Sequence, residues 1–209
     1  MSRTADPTAK IALLRAAEEV FAARGLASAK VEEIAHRAGL SKGAFYLHFE
    51  SKEEALKQVV ESFLARCASI LKGPASYTDL PTDPASMLEH WLDRDVEIYE
   101  FLWQNRGILR ILNGCSGPYG YLVDAFREEM RKNSEAWIDS WKRRGLVHAE
   151  VPVDVVAMLV RGAYSEMTVR MLASEKKPPI VAWVREAHSV FMRGIGTRGV
   201  VSAFERKQP

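Results

Sequence analysis

Residues 31–49 read VEEIAHRAGLSKGAFYLHF and decide the fold class of this 209-residue chain. In the first half, Ile34 and Ala38 recur at the four-residue spacing of one helix face. Gly39 follows where a left-handed residue ends a helix at little cost. Ser41 is then placed to cap a second helix. The pattern predicts two short helices joined by a tight turn. This is the helix-turn-helix arrangement, whose second helix enters the major groove of DNA.

The composition is that of a globular protein with nearly balanced charge. Hydrophobic residues make up 47% of the chain and charged residues 27%, values typical of soluble domains. The formal net charge is +2, and residues 1–52 carry 8 Lys/Arg against 6 Asp/Glu, again an excess of +2. Because bulk positive charge is missing, any affinity for DNA has to come from a few placed cations.

Cysteine spacing and hydropathy exclude several other classes. Cys67 and Cys115 are far apart and lack the spacing of metal ligands, so we expect no metal, no cofactor and a reduced, cytoplasmic protein. No segment approaches the run of about 18 apolar residues that a membrane helix needs. No basic segment precedes an apolar stretch at the amino terminus, so we expect neither membrane spanning nor secretion.

Helical periodicity runs through the whole chain and predicts an all-α fold. Residues 51–54, Ser-Lys-Glu-Glu, form a capping box that opens a long helix. We expect a helix-turn-helix domain over residues 1–51 and a second helical domain over residues 52–209. The tail from Thr197 lacks a strong pattern. The predicted helices cover residues 7–24, 31–38, 42–48, 52–72, 85–104, 106–113, 121–144, 153–174 and 179–195.

Residues 11–57 resemble the amino-terminal domain of the tetracycline-repressor-like (TetR) family of bacterial transcription regulators. The resemblance implies a three-helix DNA-binding domain followed by a helical domain that binds a small effector and forms the dimer. The matching residues are Ile11, Ala16, Ala17, Phe21, Gly25, Ile34, Ala35, Ala38, Gly39, Leu40, Ser41, Gly43, Tyr46, His48, Phe49, Ser51, Lys52 and Leu56.

The predicted recognition helix has an inner and an outer face. Phe45 and Phe49 fit the inner face. On the outer face, Lys42 can donate to a guanine edge or to phosphate, and Ala44 and Leu47 can meet thymine methyl groups. The expected DNA-facing residues of this helix are Lys42, Gly43, Ala44, Tyr46, Leu47 and His48.

The family resemblance adds phosphate contacts to these. It implies that Tyr46, His48 and Lys52 hold the DNA backbone, which sets the register of a complex without reading its sequence. At position 30 the family often has Ser or Thr, whereas this chain has Lys30. Either capping of the helix passes to Ser28 or Lys30 contributes a phosphate contact instead.

Aromatic and methionine side chains are concentrated between residues 91 and 171. On helices they can line an apolar pocket for a flat small molecule, or they can be ordinary core. By family resemblance we expect a pocket. Its expected lining is Trp91, Tyr99, Trp103, Tyr121, Phe126, Trp137, Trp141, Tyr164, Met167 and Met171.

The last two predicted helices have the pattern of an interface. Their apolar stripe is wider than one partner helix needs, and small residues permit close approach. Two such hairpins related by a two-fold axis would form a four-helix bundle; burial within one subunit is the alternative. The expected interface residues are Gly162, Ala163, Ile180, Trp183, Val184, Ala187 and Phe191.

Together these patterns predict a dimeric one-component transcription regulator that is not an enzyme. We expect a repressor that binds a palindromic operator through helix 42–48 and is released by a small apolar or aromatic ligand. A rival interpretation is a helical small-molecule-binding protein, or an enzyme, with a degenerate DNA-binding domain. A third is a regulator that responds to no ligand.

Overall fold

A computed structural model describes residues 7–72, 83–114 and 120–205. The regular elements in these ranges are α-helices, which confirms the predicted all-α class. In the same ranges, no helix is both long and apolar enough to cross a lipid bilayer. The helices are α1 (Pro7–Ser28), α2 (Val31–Arg37), α3 (Lys42–Tyr46), α4 (Lys52–Lys72), α5 (Pro84–Gln104), α6 (Arg106–Gly114), α7 (Gly120–Arg143), α8 (Val153–Ala173), α9 (Ile180–Ile195) and α10 (Arg198–Glu205).

The helices fall into two compact units. Unit 1 comprises residues 1–66 and 105–124, and unit 2 comprises residues 67–104 and 125–209. The contacts therefore group α6 with the amino-terminal helices. How function divides between residues 1–51 and 52–209 stays a prediction.

Unit 1 is built around α1, which packs against α2, α3 and α6. Its apolar side chains at helical spacing form the core with one face each of α2 and α3. The buried residues of these three helices and the segment that follows α3 are Leu13, Ala16, Ala17, Val20, Phe21, Ile34, Ala35, Phe45 and Phe49. This core fixes the position of α3, the predicted recognition helix.

The end that the sequence predicts for the first helix coincides with a break in α1. Gly25 has a non-helical backbone (φ 70°, ψ 166°), and a short helical turn follows it to Ser28. The predicted helix over residues 7–24 is therefore confirmed, and the turn after Gly25 is an addition to it.

Unit 2 is organised around α5, which contacts α8, α9 and α10. Its core combines one face of each helix with the turn between α7 and α8. The core residues are Met87, Leu88, Trp91, Trp137, Ile138, Trp141, Leu146, Val147, Val151, Val156, Ala157, Val160, Met192 and Val200.

The carboxy-terminal segment forms a helix that the sequence did not predict. α10 packs against α5 and α9 and buries Val200 in the core. An antiparallel bridge between Val147 and Gly196 ties the turn before α8 to the turn before α10. The expectation of an unpatterned tail is wrong for residues 198–205, because a helix of eight residues gives too short a pattern to recognise.

Candidate nucleic-acid interface and polar core of unit 2

The turn between α2 and α3 has the geometry that its sequence predicts. Gly39 has φ +70°, the left-handed conformation that side chains disfavour. The Leu40 amide donates to the Ala35 carbonyl at 2.9 Å, and the Gly39 amide donates to the His36 carbonyl at 3.0 Å. These two bonds make a Schellman motif, which satisfies carbonyls at the end of α2 and turns the chain sharply.

The start of α3 is capped as predicted. Ser41 Oγ accepts a hydrogen bond from the Ala44 amide at 3.1 Å. Phe45 and Phe49 are buried, with ring centroids 5.2 Å apart, so they anchor the inner face as expected. α3 is one turn and a half long and ends at Tyr46, two residues earlier than predicted.

The outer face of α3 is open to solvent. Lys42 and Gly43 are exposed, and the side chains that follow remain largely accessible: Tyr46 is 50% and Leu47 54% exposed. Ala44 and His48 are half-buried. Tyr46 and Leu47, the two large side chains of the outer face, therefore face water, an arrangement suited to contact with a groove.

Lys42 is held by a carboxylate of α2. Its Nζ lies 2.6 Å from Glu32 Oε1. This hydrogen bond raises the pKa of Lys42 and lowers the pKa of Glu32. The ammonium that the sequence assigns to base or phosphate contact is thus paired in the free protein.

Lys52 makes structural hydrogen bonds that the sequence did not reveal. Its Nζ donates to the carbonyls of Leu26 (2.9 Å), Ala27 (3.2 Å) and Ala29 (3.0 Å). These use all three donors of an ammonium group and neutralise the carbonyl end of α1. A phosphate could bind Lys52 only by replacing some of these bonds, so its predicted phosphate contact stays a prediction.

The structure also gives the positions of Lys30 and of the capping box at the start of α4. Lys30 is exposed at the N-cap of α2, where its side chain makes no capping hydrogen bond. Ser51 Oγ accepts from the Glu54 amide at 3.1 Å, and Glu54 accepts from the Glu50 amide at 2.6 Å. The capping box at α4 is confirmed, with its return bond one residue earlier than usual.

The structure brings only part of the predicted pocket together. In unit 2, the rings of Trp91, Trp137 and Trp141 are all buried and in mutual contact, with centroids 4.3–5.0 Å apart. Tyr99 donates its hydroxyl to the Tyr164 carbonyl at 2.7 Å. Met171 is buried, while Trp103, Phe126 and Met167 are half-buried. Tyr121 belongs to unit 1 and is 57% exposed.

Beside the tryptophans lies a buried polar network that sequence reasoning missed. His188 Nε2 lies 3.0 Å from Asp95 Oδ2 and 3.1 Å from the Tyr164 hydroxyl, which also donates to Asp95. Trp91 stacks on the His188 ring at 3.7 Å. Asp95 and His188 are 93 residues apart, so no local pattern links them.

The charge of this network is fixed by its partners. Burial disfavours the charged carboxylate, yet the hydrogen bond from His188 and the positive charge of Arg94 hold the pKa of Asp95 below its usual value. Burial and the neighbouring carboxylate raise the pKa of Tyr164. Asp95 is therefore an anion in the core of unit 2, stabilised by the charge of Arg94 on α5 and by hydrogen bonds from His188 on α9 and Tyr164 on α8.

The predicted interface residues divide into two groups. Ile180 and Val184 are buried inside unit 2, because this stripe of α9 is the face that packs within the unit. Gly162 is exposed, and Ala163, Trp183, Ala187 and Phe191 are half-buried. The largest exposed apolar side chains of α8 and α9 are not among the expected interface residues just named: they are Val155, Met158, Leu159, Val169, Val181 and Val190.

The fold and the open face of α3 define a helix-turn-helix DNA-binding protein. Residues 13–59 match the family model described as "Bacterial regulatory proteins, tetR family". Over 80% of its length, the chain is 26% identical to the uncharacterised HTH-type transcriptional regulator YdgC of Bacillus subtilis, covering 83% of that protein. It is 23% identical to the HTH-type transcriptional repressor DhaR of Mycobacterium sp. strain GP1, over 80% of this chain and 84% of that one.

A solved structure supports the same fold. SmeT, the repressor of the Stenotrophomonas maltophilia multidrug efflux pump SmeDEF, superposes with a TM-score of 0.75 at 17% identity, covering 91% of this chain and 92% of that one. Residues 13–59 thus match the tetR family's helix-turn-helix region, and over most of its length the chain is similar to helix-turn-helix transcriptional regulators.

Proposed function

We propose that this protein is a dimeric, cytoplasmic repressor that binds a palindromic operator and leaves it when a small apolar or aromatic molecule binds unit 2. The observation that carries the proposal is the solvent-exposed outer face of α3, set on the buried apolar core of the helix-turn-helix. The similar proteins DhaR and SmeT are repressors, which favours repression over activation. On this proposal the protein acts by binding, without catalysis.

The DNA contacts we propose follow from exposure and chemistry. Lys42 lies at the start of α3, where recognition helices contact base edges, and Leu47 offers an apolar surface to thymine methyl groups. Tyr46, His48 and Lys30 supply hydrogen-bond donors to phosphate. Since few cations are involved, the affinity has to depend on accurate placement of α3.

The dimer we propose uses the exposed apolar face of α8. Val155, Leu159, Gly162 and Val169 recur at helical spacing on that face, and Val190 of α9 is 71% exposed. Monomers seldom leave so many large apolar side chains in water on adjoining helices. A second copy of the chain, related by a two-fold axis, would cover both faces and pair two recognition helices.

The effector we propose binds near the tryptophans and the polar network of unit 2. A ligand there would contact aromatic rings and the hydrogen-bonding groups of Asp95, Tyr164 and His188. To release DNA, it has to bind the non-DNA-binding conformation more tightly, because equal affinity for both conformations shifts nothing. α4 starts in unit 1 and ends in unit 2, so we propose that it transmits the change.

A regulator without an effector is the second candidate. It is favoured by the close packing of Trp91, Trp137 and Trp141, whose rings already contact one another. In that case unit 2 would serve dimerisation alone.

DNA selection from a random duplex library tests the proposed operator binding. The purified full chain should enrich a two-fold symmetric sequence, and its affinity should fall as the salt concentration rises from about 50 to about 200 mM. Failure to enrich any sequence, with no salt-dependent binding, would exclude the proposed function.

Tryptophan fluorescence with a library of lipophilic compounds tests the effector. A true effector should change the emission, because it displaces or contacts the three buried tryptophans, and should lower operator affinity at the same concentrations. A compound that changes emission and is chemically transformed would support the enzyme interpretation. No response to any compound would favour the effector-independent regulator.

A further inference from the structure

Three residues form a row across the surface of α2 and α3. Glu32 in the first turn of α2 contacts Lys42 at the start of α3, with 2.6 Å between Oε1 and Nζ. Tyr46 lies one helical turn further along α3. Since Lys42 and Tyr46 are exposed on the face assigned to DNA, Glu32 lies at the edge of the same face. Its side chain is 59% exposed.

DNA is a polyanion, so a carboxylate at this position repels its phosphate backbone and weakens binding. An unpaired lysine would bind any phosphate, and such contacts strengthen non-specific binding as much as operator binding. To bind Lys42 while it is paired with Glu32, a phosphate has to displace the Glu32 carboxylate. The displaced carboxylate then lies beside the negatively charged DNA backbone. An ammonium has three donors, however, so Lys42 can keep Glu32 and still donate to a guanine edge.

From this geometry we infer that Glu32 is a specificity-determining residue, which holds Lys42 for base contact and suppresses binding to non-operator DNA. The inference rests on the proposed operator binding. Glu32 itself touches no base in this account: it acts through Lys42 as a positioning residue and through its charge as a repulsive element.

The chain offers a closely matched control in Glu33. Both glutamates lie in the first turn of α2, and both are paired with a basic side chain. Glu33 binds Arg24 of α1 at 2.8 Å, away from the recognition helix. Glu32→Gln and Glu33→Gln therefore remove the same charge and the same favourable interaction with the helix dipole. Only the first releases Lys42.

The experiment measures affinity by fluorescence anisotropy, with the full-length protein, for the selected operator and for a duplex of scrambled sequence. Glu32→Gln should tighten binding to the scrambled duplex about threefold, a change on the scale of an exposed ion pair. It should steepen the salt dependence by about 0.9 in log affinity per log salt, because one more phosphate is neutralised. The ratio of operator to scrambled affinity should fall, while Glu33→Gln should leave it unchanged.

A double variant tests whether Glu32 acts through Lys42. In a Lys42→Met background, adding Glu32→Gln should no longer change the salt dependence. Equal effects of Glu32→Gln and Glu33→Gln would overturn the inference, because both would then report net charge alone. Loss of operator affinity with no gain on scrambled DNA would also overturn it, since Glu32 would then be contacting a base itself. If the unaltered protein binds no DNA, the proposed function fails and this inference fails with it.

Discussion

At the scale of single residues, two charged side chains form hydrogen bonds within the protein. Lys52 bonds to backbone carbonyls, and Asp95 bonds to side chains of the core. Lys52 resembles a phosphate ligand in sequence, yet its ammonium donates to the carbonyls of Leu26, Ala27 and Ala29. Asp95 lies in a charged stretch of α5, yet it is buried and bonded to His188 and Tyr164 from α9 and α8. Residue type alone suggests the function of such groups, whereas three-dimensional neighbours decide it.

Replacing Lys52 by methionine separates the two roles. Because the variant leaves three carbonyls at the end of α1 without their charged donor, we expect a loss of about 1–2 kcal/mol in the free energy of unfolding. The dependence of DNA affinity on salt should stay close to that of the unaltered protein. Urea unfolding and a salt titration measure both quantities.

Lys57→Met is the matched control for this variant. Lys57 is on the same helix, but its Nζ only approaches Glu61 at 3.8 Å on the surface, so its loss should cost little. If Lys52→Met kept full stability and reduced the salt dependence by about 0.9, Lys52 would be a phosphate ligand instead.

Asp95 makes the stability of unit 2 depend on acid pH. Removing one partner of a buried ion pair costs about 3–5 kcal/mol, so Asp95→Asn should be strongly destabilised at neutral pH. The pKa of Asp95 is lowered in the folded protein. Its stabilising contribution is therefore present above the unfolded value of about 3.9 and is lost as pH falls through the lower folded value.

Chemical unfolding across the acid range checks this prediction. The difference in unfolding free energy between the unaltered protein and Asp95→Asn should shrink below about pH 4. Asp93→Asn, on the exposed side of the same helix, should differ little from the unaltered protein throughout. A difference for Asp95→Asn that stays constant from neutral to acid pH would contradict the assigned ion pair.

At the scale of helices, the sequence predicts where helices begin and end, but not how distant helices pack. Gly39 and Ser41 indicate the end of α2 and the start of α3, because capping hydrogen bonds join residues only three to five positions apart. α6 shows the opposite case: its packing against α1 joins residues far apart in the chain. A hydrogen atom at position 107 is needed there, since a Cβ would lie 2.6 Å from the Cβ of Ala22.

Gly107→Ala tests whether α6 is an integral part of unit 1. The added methyl group has to push α6 away from α1, and overpacking of this kind costs about 1–3 kcal/mol. Gly199→Ala provides a control, because Gly199 is also the second residue of a short helix and a Cβ there meets nothing within 4 Å. The urea midpoint should fall for Gly107→Ala and stay level or rise for Gly199→Ala. Equal midpoints would show that the α1–α6 contact is loose.

At the scale of the whole molecule, helix order was predictable from the sequence, but the faces of the last helices were not. α8 carries apolar side chains on every face, so periodicity could not separate Val156 and Val160, which are buried, from Leu159, which is 56% exposed. For α9 the apolar stripe with Ile180 and Val184 proved to be the inner face. The Asp95–His188 pair could not be predicted from the sequence for a related reason. Its two members are brought together only by the packing of α5 on α9.

Charge substitution on the exposed face of α8 tests the proposed dimer. Leu159→Arg should shift the protein to monomers in light scattering, because it places two unpaired cations in the two-fold interface. Ala136→Arg, at an exposed position of α7, should leave the mass unchanged. An intact dimer with Leu159→Arg at dilute concentration would place the subunit contact on another surface.

A dimer of this protein is expected to bind DNA through the outer face of α3. Footprinting on the selected operator tests this most directly. Tyr121→Ala is the control for Tyr46→Ala, because both tyrosines are at least half exposed in unit 1 and only Tyr46 lies on α3. We predict two symmetric protected half-sites, with centres one helical turn of about 10 base pairs or a multiple apart. Protection should persist with Tyr121→Ala and be lost with Tyr46→Ala. Protection that survives Tyr46→Ala unchanged, or a single asymmetric footprint, would contradict the account.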